Sequence, residues 1–413
     1  EQDESIFFPL SWNSDGNKIY VITNKGMEFN TLALYDIKTG DLDFITDKIP
    51  WNVDGFDMNK SKTKVAFTVN DNGFNQLYLM NTETNMYEKI PNLPIGQIGS
   101  ISFHPSKDKL AVNLNTTETP GDVYVIDLGT YEKIRWTYSE VGVLNTSVFP
   151  KPQLINYETF DEVDGKKRQI PAFVYKPHDA KGPLPVMISI HGGPEGQHTP
   201  RFSSFYAFLA NELGIAVIAP NVRGSAGYGK TYIMLDNDYN RENSVKDIGK
   251  LIEWIGKSPE FDKERIAVFG GSYGGYMVLS SMFNYNDKIK CGIDIVGISN
   301  FVTFLENTQE YRRDLRRVEY GDERIPEMRE YLTSISPTTN VSKITKPLFV
   351  IQGANDPRVP ASEAEQMVKA VRDNNGVVWY MLALDEGHGF RKKVNRDMMM
   401  EAVALFLKMH LLE

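Results

Sequence analysis

Over the first 150 residues, apolar positions alternate with polar ones in short runs that never settle into a helical period. Lys18-Ile-Tyr-Val-Ile, Thr31-Leu-Ala-Leu-Tyr, Lys64-Val-Ala-Phe-Thr-Val, Gln76-Leu-Tyr-Leu-Met, Lys109-Leu-Ala-Val and Asp122-Val-Tyr-Val-Ile are such runs. Turn clusters (Asn13-Ser-Asp-Gly, Asp71-Asn-Gly, Pro120-Gly-Asp) separate them, which predicts antiparallel strands and hairpins. The runs also repeat. Lys18, Lys64 and Lys109 open equivalent strands at spacings of 46 and 45, and Asp36, Asn81 and Asp127 close equivalent strands at 45 and 46. A period in the mid-forties with several strands per unit is that of propeller blades, as against an irregular sandwich.

About three blades fit into residues 1–148, and a closed ring needs about four to eight. An unclosed set leaves edge strands that must pair with something. Two expectations follow: a longer polypeptide supplies the missing N-terminal propeller segment, or a second copy of the chain covers the open sheets as a homo-oligomer. The chain opens with Glu1 rather than Met, which favours the first.

From Phe149 the pattern changes. Pro150, Pro152 and Asp161-Glu-Val-Asp-Gly read as a connector and hairpin. Strand-like apolar runs then alternate with helix-length amphipathic segments, the pattern of a mostly parallel sheet with helices on both faces. Strands are predicted at 170–175, 185–190, 216–220, 265–269, 292–296, 348–352 and 377–383. Helices are predicted at 202–212, 244–257, 275–284, 301–318, 361–374 and 397–411. The expected fold is therefore α/β, with an α/β-hydrolase domain over 149–413 preceded by an incomplete β-propeller over 1–148. In such sheets chemistry collects at the carboxyl ends of the strands.

Composition narrows the chemistry mainly by exclusion. The 413 residues are 41% hydrophobic, too apolar for a disordered chain. Lys and Arg number 45 against 54 Asp and Glu, a net charge of −9, so neither nucleic acid nor an anionic membrane is an expected partner. One cysteine, Cys291, precludes an intrachain disulfide, and the six histidines include no H-E-x-x-H pair, so neither a metal site nor a cofactor is expected. No apolar run reaches membrane-spanning length and no signal-peptide pattern opens the chain, which makes a cytoplasmic location the expectation.

Gly270-x-Ser272-x-Gly274 joins a predicted strand to a predicted helix, where a sharp turn thrusts a serine hydroxyl clear of the sheet. By itself the pattern is weak, since a glycine-rich helix entry with a capping serine reads the same way. A serine needs a base, and the base an orienting carboxylate; in this architecture the order is Ser, then Asp or Glu, then His. Only His388 and His410 follow Ser272. His410 lies among Leu407, Met409 and Leu411 and reads as a packing residue, whereas His388 sits in a glycine-flanked loop after the last strand. Asp356 occupies the matching place after the 348–352 strand, though Asp-Pro also forms turns. Asp385 and Glu386 are rival carboxylates, too close in sequence to His388 to reach behind its ring. An oxyanion needs two N–H donors, expected from Tyr273 and from His191-Gly-Gly-Pro.

His191-Gly-Gly-Pro, Asn221-Val-Arg-Gly-Ser-Ala-Gly-Tyr-Gly, Gly270-Gly-Ser-Tyr-Gly-Gly-Tyr, Asp356 and Gly387-His388-Gly-Phe together resemble the prolyl oligopeptidase family of serine peptidases, and within it the acylaminoacyl peptidases. The resemblance covers roughly residues 150–413 and implies a propeller ahead of the hydrolase domain. It also implies Ser272 as nucleophile, His388 as base, Asp356 as its orienter, and Gly193 and Tyr273 as oxyanion donors. The dipeptidyl-releasing branch holds the substrate amine with a Glu-Glu pair, and no Glu-Glu occurs in this chain.

The expected activity is hydrolysis of short peptides, N-acylated ones included, through an acyl-enzyme. The rivals are a carboxylesterase using the same triad and an inactive propeller-bearing binding protein. Tyr311-Arg-Arg-Asp-Leu-Arg-Arg is the densest basic stretch. Arg312 and Arg313 are candidates for clamping a substrate carboxylate, against a plain reading in which Asp314, Glu319, Asp322 and Glu323 neutralise the ridge. Arg223 and Tyr228 are further candidates for substrate contact, and Phe202, Phe205, Tyr206 and Tyr276 for an apolar pocket.

Overall fold

Each alternating run at the N-terminal end becomes a strand of a small antiparallel sheet in the computed structural model, which describes residues 5–413. The first sheet is β1 (Phe7–Trp12), β2 (Lys18–Thr23), β3 (Thr31–Asp36) and β4 (Leu42–Phe44). The second is β5 (Asn52–Met58), β6 (Lys64–Asp71), β7 (Phe74–Asn81) and β8 (Tyr87–Lys89). The third is β9 (Gln97–Phe103), β10 (Lys109–Asn115), β11 (Asp122–Asp127) and β12 (Lys133–Arg135). In each, neighbours in sequence are neighbours in space, the meander of a propeller blade.

The period seen in the sequence is a period of register: Lys18 faces Asp36, Lys64 faces Asn81 and Lys109 faces Asp127. The residue closing the third strand of each sheet also caps the following turn. Asp36 Oδ1 accepts from the N–H groups of Lys38 and Thr39 (2.9 and 3.2 Å), Asn81 Oδ1 from Glu83 and Thr84 (2.9 and 3.2 Å), and Asp127 Oδ1 from Gly129 and Thr130 (3.1 and 3.3 Å). Apolar faces of successive sheets meet: Tyr20, Leu32 and Leu34 pack with Val65, Phe67 and Met80, and Ala66 and Leu77 with Leu110, Val112 and Ile126.

The second half builds an eight-stranded sheet from β13 (Gln153–Val163), β14 (Lys166–Tyr175), β15 (Leu184–Ile190), β16 (Ala216–Pro220), β17 (Phe261–Gly271), β18 (Cys291–Ile295), β19 (Leu348–Gly353) and β20 (Val378–Ala383). Its order is β13-β14-β16-β15-β17-β18-β19-β20. The β13–β14 and β14–β16 pairs are antiparallel and every pair from β16 to β20 is parallel. Strands β15, β16 and β19 are buried along their whole length, as helices on both faces require of an apolar run. Those helices are α1 (Ser204–Asn211), α2 (Lys230–Ile233), α3 (Arg241–Lys257), α4 (Tyr273–Asn284), α5 (Phe301–Asn307), α6 (Glu310–Tyr320), α7 (Pro326–Ile335), α8 (Ala361–Asp373) and α9 (Lys393–Leu407). The chain divides into two compact units. One ends at Val148 and takes in Thr199–Ser203 and Ala226–Tyr232; the other is Phe149–His198, Ser204–Ser225 and Ile233–Glu413.

The structure departs from the predicted elements in several places. The stretch before the Asp161–Gly165 hairpin is the eleven-residue edge strand β13 rather than a connector. The helix expected over 301–318 is two, α5 and α6, because Thr308 between them is extended and its hydroxyl donates to the Arg358 carbonyl (2.8 Å). Helix α7, where no element is predicted, begins at Pro326, a residue that suits a first helical turn. Among the described residues no helix is long and apolar enough to cross a membrane.

Candidate active site

The parallel strands β17, β19 and β20 run the same way, so the loops that follow them lie along one edge of the sheet. Ser272 is the single residue between β17 and α4. Its backbone stands at φ 60°, ψ −121°, a conformation that L-residues with a side chain adopt only when their surroundings impose it, at about 1–3 kcal/mol. Here β18 and α4 impose it: the Ser272 N–H donates to the Ile295 carbonyl (2.8 Å), and its own carbonyl accepts from Gly275 (2.9 Å) and Tyr276 (3.2 Å). Tyr273 opens α4, so its N–H has no acceptor within the helix. Beside the turn, a Cβ on Gly192 would fall 2.7 Å from the Gly271 carbonyl oxygen and 3.2 Å from the Ser272 Cβ. Only a glycine lets the 191–194 loop come this close to the serine. The His191 ring secures that loop from behind, with its nitrogens 2.9 Å from the Gly192 carbonyl oxygen and 2.8 Å from Ser225 Oγ.

After β19 and β20 the structure brings Asp356 and His388 together, with His388 Nδ1 2.7 Å from Asp356 Oδ2. The Asp356 side chain is wholly buried and that of His388 12% exposed. The other carboxylate oxygen, Oδ1, accepts from the N–H groups of Arg358 (2.8 Å) and Val359 (3.0 Å). With that oxygen fixed by backbone, Oδ2 is aimed at the imidazole. The rival carboxylates are occupied elsewhere. Asp385 pairs with Lys392 (2.5 Å), and Glu386 accepts from the N–H groups of Arg391 (3.1 Å) and Lys392 (2.9 Å). His410 packs against Phe406 at the C-terminal end, 4.7 Å between ring centroids.

The arginines separate sharply. Arg223, a candidate for steering substrate, is 3% exposed and engaged internally: Nε and Nη2 donate to Asp247 (2.9 and 2.8 Å) and Nη2 also to Asp161 (2.8 Å). Its guanidinium lies 4.3 Å from the centre of the Phe160 ring, so it braces β13 against α3. On α6, Arg313 donates to the Thr308 carbonyl (3.0 Å), and Arg317 pairs with Asp314 (2.9 Å) and Glu323 (2.5 Å). Arg312 is different. Its Nε is buried without a hydrogen-bond partner, and so is Nε of Arg358, two residues past Asp356. Burial, and then the neighbouring charges of Arg312 and Arg316, hold the Arg358 guanidinium below the usual arginine range. Tyr228 packs on Trp51 and Tyr232, at 6.1 and 5.3 Å, in the unit that holds the small sheets.

Sequence reasoning missed a buried polar group beneath the site. Arg241 is completely buried and donates to Asp236 (2.6 Å), to the Glu319 carbonyl (2.6 Å) and to the Tyr273 hydroxyl (3.3 Å). Arg316 pairs with Glu319, whose carboxyl burial pushes up to about 7 despite the two arginines beside it. Nothing in the local sequence around Arg241 marks it, because its partners lie on other elements. Tyr276 is also core, donating to Glu242 (2.5 Å). Among the described residues no group of three or more His, Cys, Asp or Glu side chains could hold a metal ion.

The chain has relatives among known proteins. Dipeptidyl aminopeptidase BIII of Pseudoxanthomonas mexicana is 37% identical over 221 residues, 52% of this chain and 32% of that protein. The human acylamino-acid-releasing enzyme is 26% identical over 238 residues, 56% of this chain and 32% of its own. Among solved structures, a puromycin-hydrolysing peptidase from Mycobacterium tuberculosis superposes with a TM-score of 0.88 at 20% identity, over 99% of this chain and 62% of that one. The matched stretches thus cover about a third of the length of each of those two curated relatives. The family profile of the prolyl oligopeptidases matches residues 200–413, more than half of the chain and all three strand ends described above. On that match, the chain belongs to the prolyl oligopeptidase family.

Proposed function

We propose that this chain carries the catalytic machinery of a serine peptidase acting on short peptides, N-acylated ones included. The observation that carries the reading is the 2.7 Å contact between His388 Nδ1 and Asp356 Oδ2, on the sheet edge that also holds the Ser272 turn. In this reading Ser272 Oγ attacks the scissile carbonyl carbon and its proton passes to His388 Nε2. Asp356 keeps the ring in the tautomer that accepts there and steadies the imidazolium. The N–H groups of Gly193 and Tyr273 receive the developing oxyanion. Collapse of the tetrahedral intermediate returns the proton to the leaving amine, and water, deprotonated by the same histidine, releases the acyl group. Arg312, with Arg358, is assigned to the carboxylate of a short peptide, because both guanidinium groups retain an unused buried donor.

A dipeptidyl-releasing activity is the second reading, favoured by the name of the 37% identical relative. Carboxylesterase action is a third outcome of the same test. Turnover is measured side by side on an N-acylated peptide, the same peptide with a free amine, and a short-chain ester. The proposal expects acyl-peptide cleavage together with covalent labelling by a fluorophosphonate, both abolished by Ser272→Ala. Peptide turnover at background with ester turnover intact overturns the peptidase assignment.

A further inference from the structure

The two peptide groups cast as oxyanion donors come from distant places, residue 193 after β15 and residue 273 at the start of α4. An oxyanion hole works only if its donors are already at the right spacing when charge develops. Tyr273 is fixed by its helix. Gly193 is not: with φ at 145° it has no side chain to pack, and a Cβ there would fall 2.4 Å from the Gly196 nitrogen. Two soft torsions separate its N–H from its carbonyl. On one side that N–H shares a rigid peptide plane with the Gly192 carbonyl, which the His191 ring holds; on the other side the Gly193 carbonyl is the second point of restraint.

Two side chains of α6 supply it. Arg316 Nη1 and the Tyr320 hydroxyl both donate to the Gly193 carbonyl, at 3.3 and 3.4 Å. The same turn of α6 is tied to Tyr273. Arg241 donates to the Glu319 carbonyl and to the Tyr273 hydroxyl, and the Tyr273 hydroxyl in turn donates to Asp236 (3.1 Å) and lies 2.8 Å from Ser244 Oγ. The rings of Tyr273 and Tyr320 stack at 6.1 Å, with the Arg241 guanidinium 5.2 and 4.8 Å from their centres. We propose that Arg316, Tyr320 and Arg241 form one brace joining the Gly193 carbonyl to the Tyr273 side chain, and that they are positioning residues for the step in which the carbonyl oxygen becomes negative. The inference rests on the oxyanion assignment made above and adds what sets the geometry of that hole.

The test uses the full chain with Arg316→Met, Arg316→Lys and Tyr320→Phe, none of which removes a proposed donor to the oxyanion. For Arg316→Met and Tyr320→Phe, kcat is expected to fall roughly tenfold to a hundredfold, as for a sub-ångström misplacement at a reacting centre. KM is expected to stay within twofold, with melting temperatures held. Affinity for a peptide boronic acid, which forms a tetrahedral adduct on the serine, should fall in proportion to kcat/KM. Arg316→Lys, which can still reach the Gly193 carbonyl, should recover part of the loss. Variants with kcat and boronate affinity within twofold of the parent overturn the brace, as do parallel losses in kcat and melting temperature without lysine recovery. If the parent cleaves only esters, the peptidase reading fails and the brace is read from ester kcat. If it cleaves nothing, the rate of fluorophosphonate labelling reads the brace, and a parent that does not label overturns both.

Discussion

The small sheets and the large one use polar side chains in opposite ways. In the blades, the recurring polar groups act on their own neighbourhood: Asp36, Asn81 and Asp127 each cap backbone two and three residues on, at the surface. In the hydrolase unit they are buried and reach across the fold. Arg223 meets Asp247 24 positions away, His388 meets Asp356 at 32, and Arg241 meets the Glu319 carbonyl at 78. A local cap is exchanged for water at little net change when it opens. A buried pair leaves a desolvated charge behind when it breaks. The first kind of contact makes a repeat regular, while the second fixes parts of a site that sequence keeps far apart.

The largest expected break in this contrast is Asp247→Ala. Arg223 would keep only the partly exposed Asp161, and removing one partner of a buried pair destabilises a fold by about 3–5 kcal/mol. Urea unfolding of the variant should show a loss in that range. A loss below about 1 kcal/mol would place the pair with ordinary surface contacts.

Next comes Asp294, at the end of β18, whose carboxyl burial raises from 3.8 to about 7, with the charge of Glu363 adding to the rise. Between those values the folded chain holds a proton that the unfolded chain has released. The stability tied to this group is therefore full below about pH 4 and lost as the pH climbs through 7. Asp294→Asn should flatten the stability curve between pH 5 and 7 by up to ~1.4 kcal/mol per pH unit. An unchanged slope would mean that the group ionises normally.

The smallest effect tests the blades. Alanine at Asp36, Asn81 or Asp127 removes two side-chain-to-backbone bonds and should cost about 1 kcal/mol each, adding when combined because the sites share no partner. Thermal unfolding of the single and triple variants checks both points, and unequal or non-additive losses would show that the repeats are not equivalent.

What sequence disclosed follows the same division. Lys18, Lys64 and Lys109 could be lined up because each blade repeats its local rules, so one period located β2, β6 and β10 together. The loops after β17, β19 and β20 were marked too, since glycines and a single histidine flag places where backbone must bend or come close. Arg241, Arg316 and Arg358 were not. Each owes its meaning to groups brought in from other elements, and an arginine reads the same in sequence whether it faces water, a like charge or a carbonyl. The break at Thr308 was hidden for a similar reason, since its hydroxyl answers to the backbone of residue 358 rather than to its own neighbours.

Cys291 gives the large sheet a built-in reporter. It is the chain's one thiol, completely buried on β18 between β17 and β19, and burial pushes its ionisation up to about 12. A disulfide reagent in solution therefore meets a reactive sulfur only when those central strands separate. Colour released by such a reagent counts openings of the middle of the sheet, one per molecule, with no label introduced.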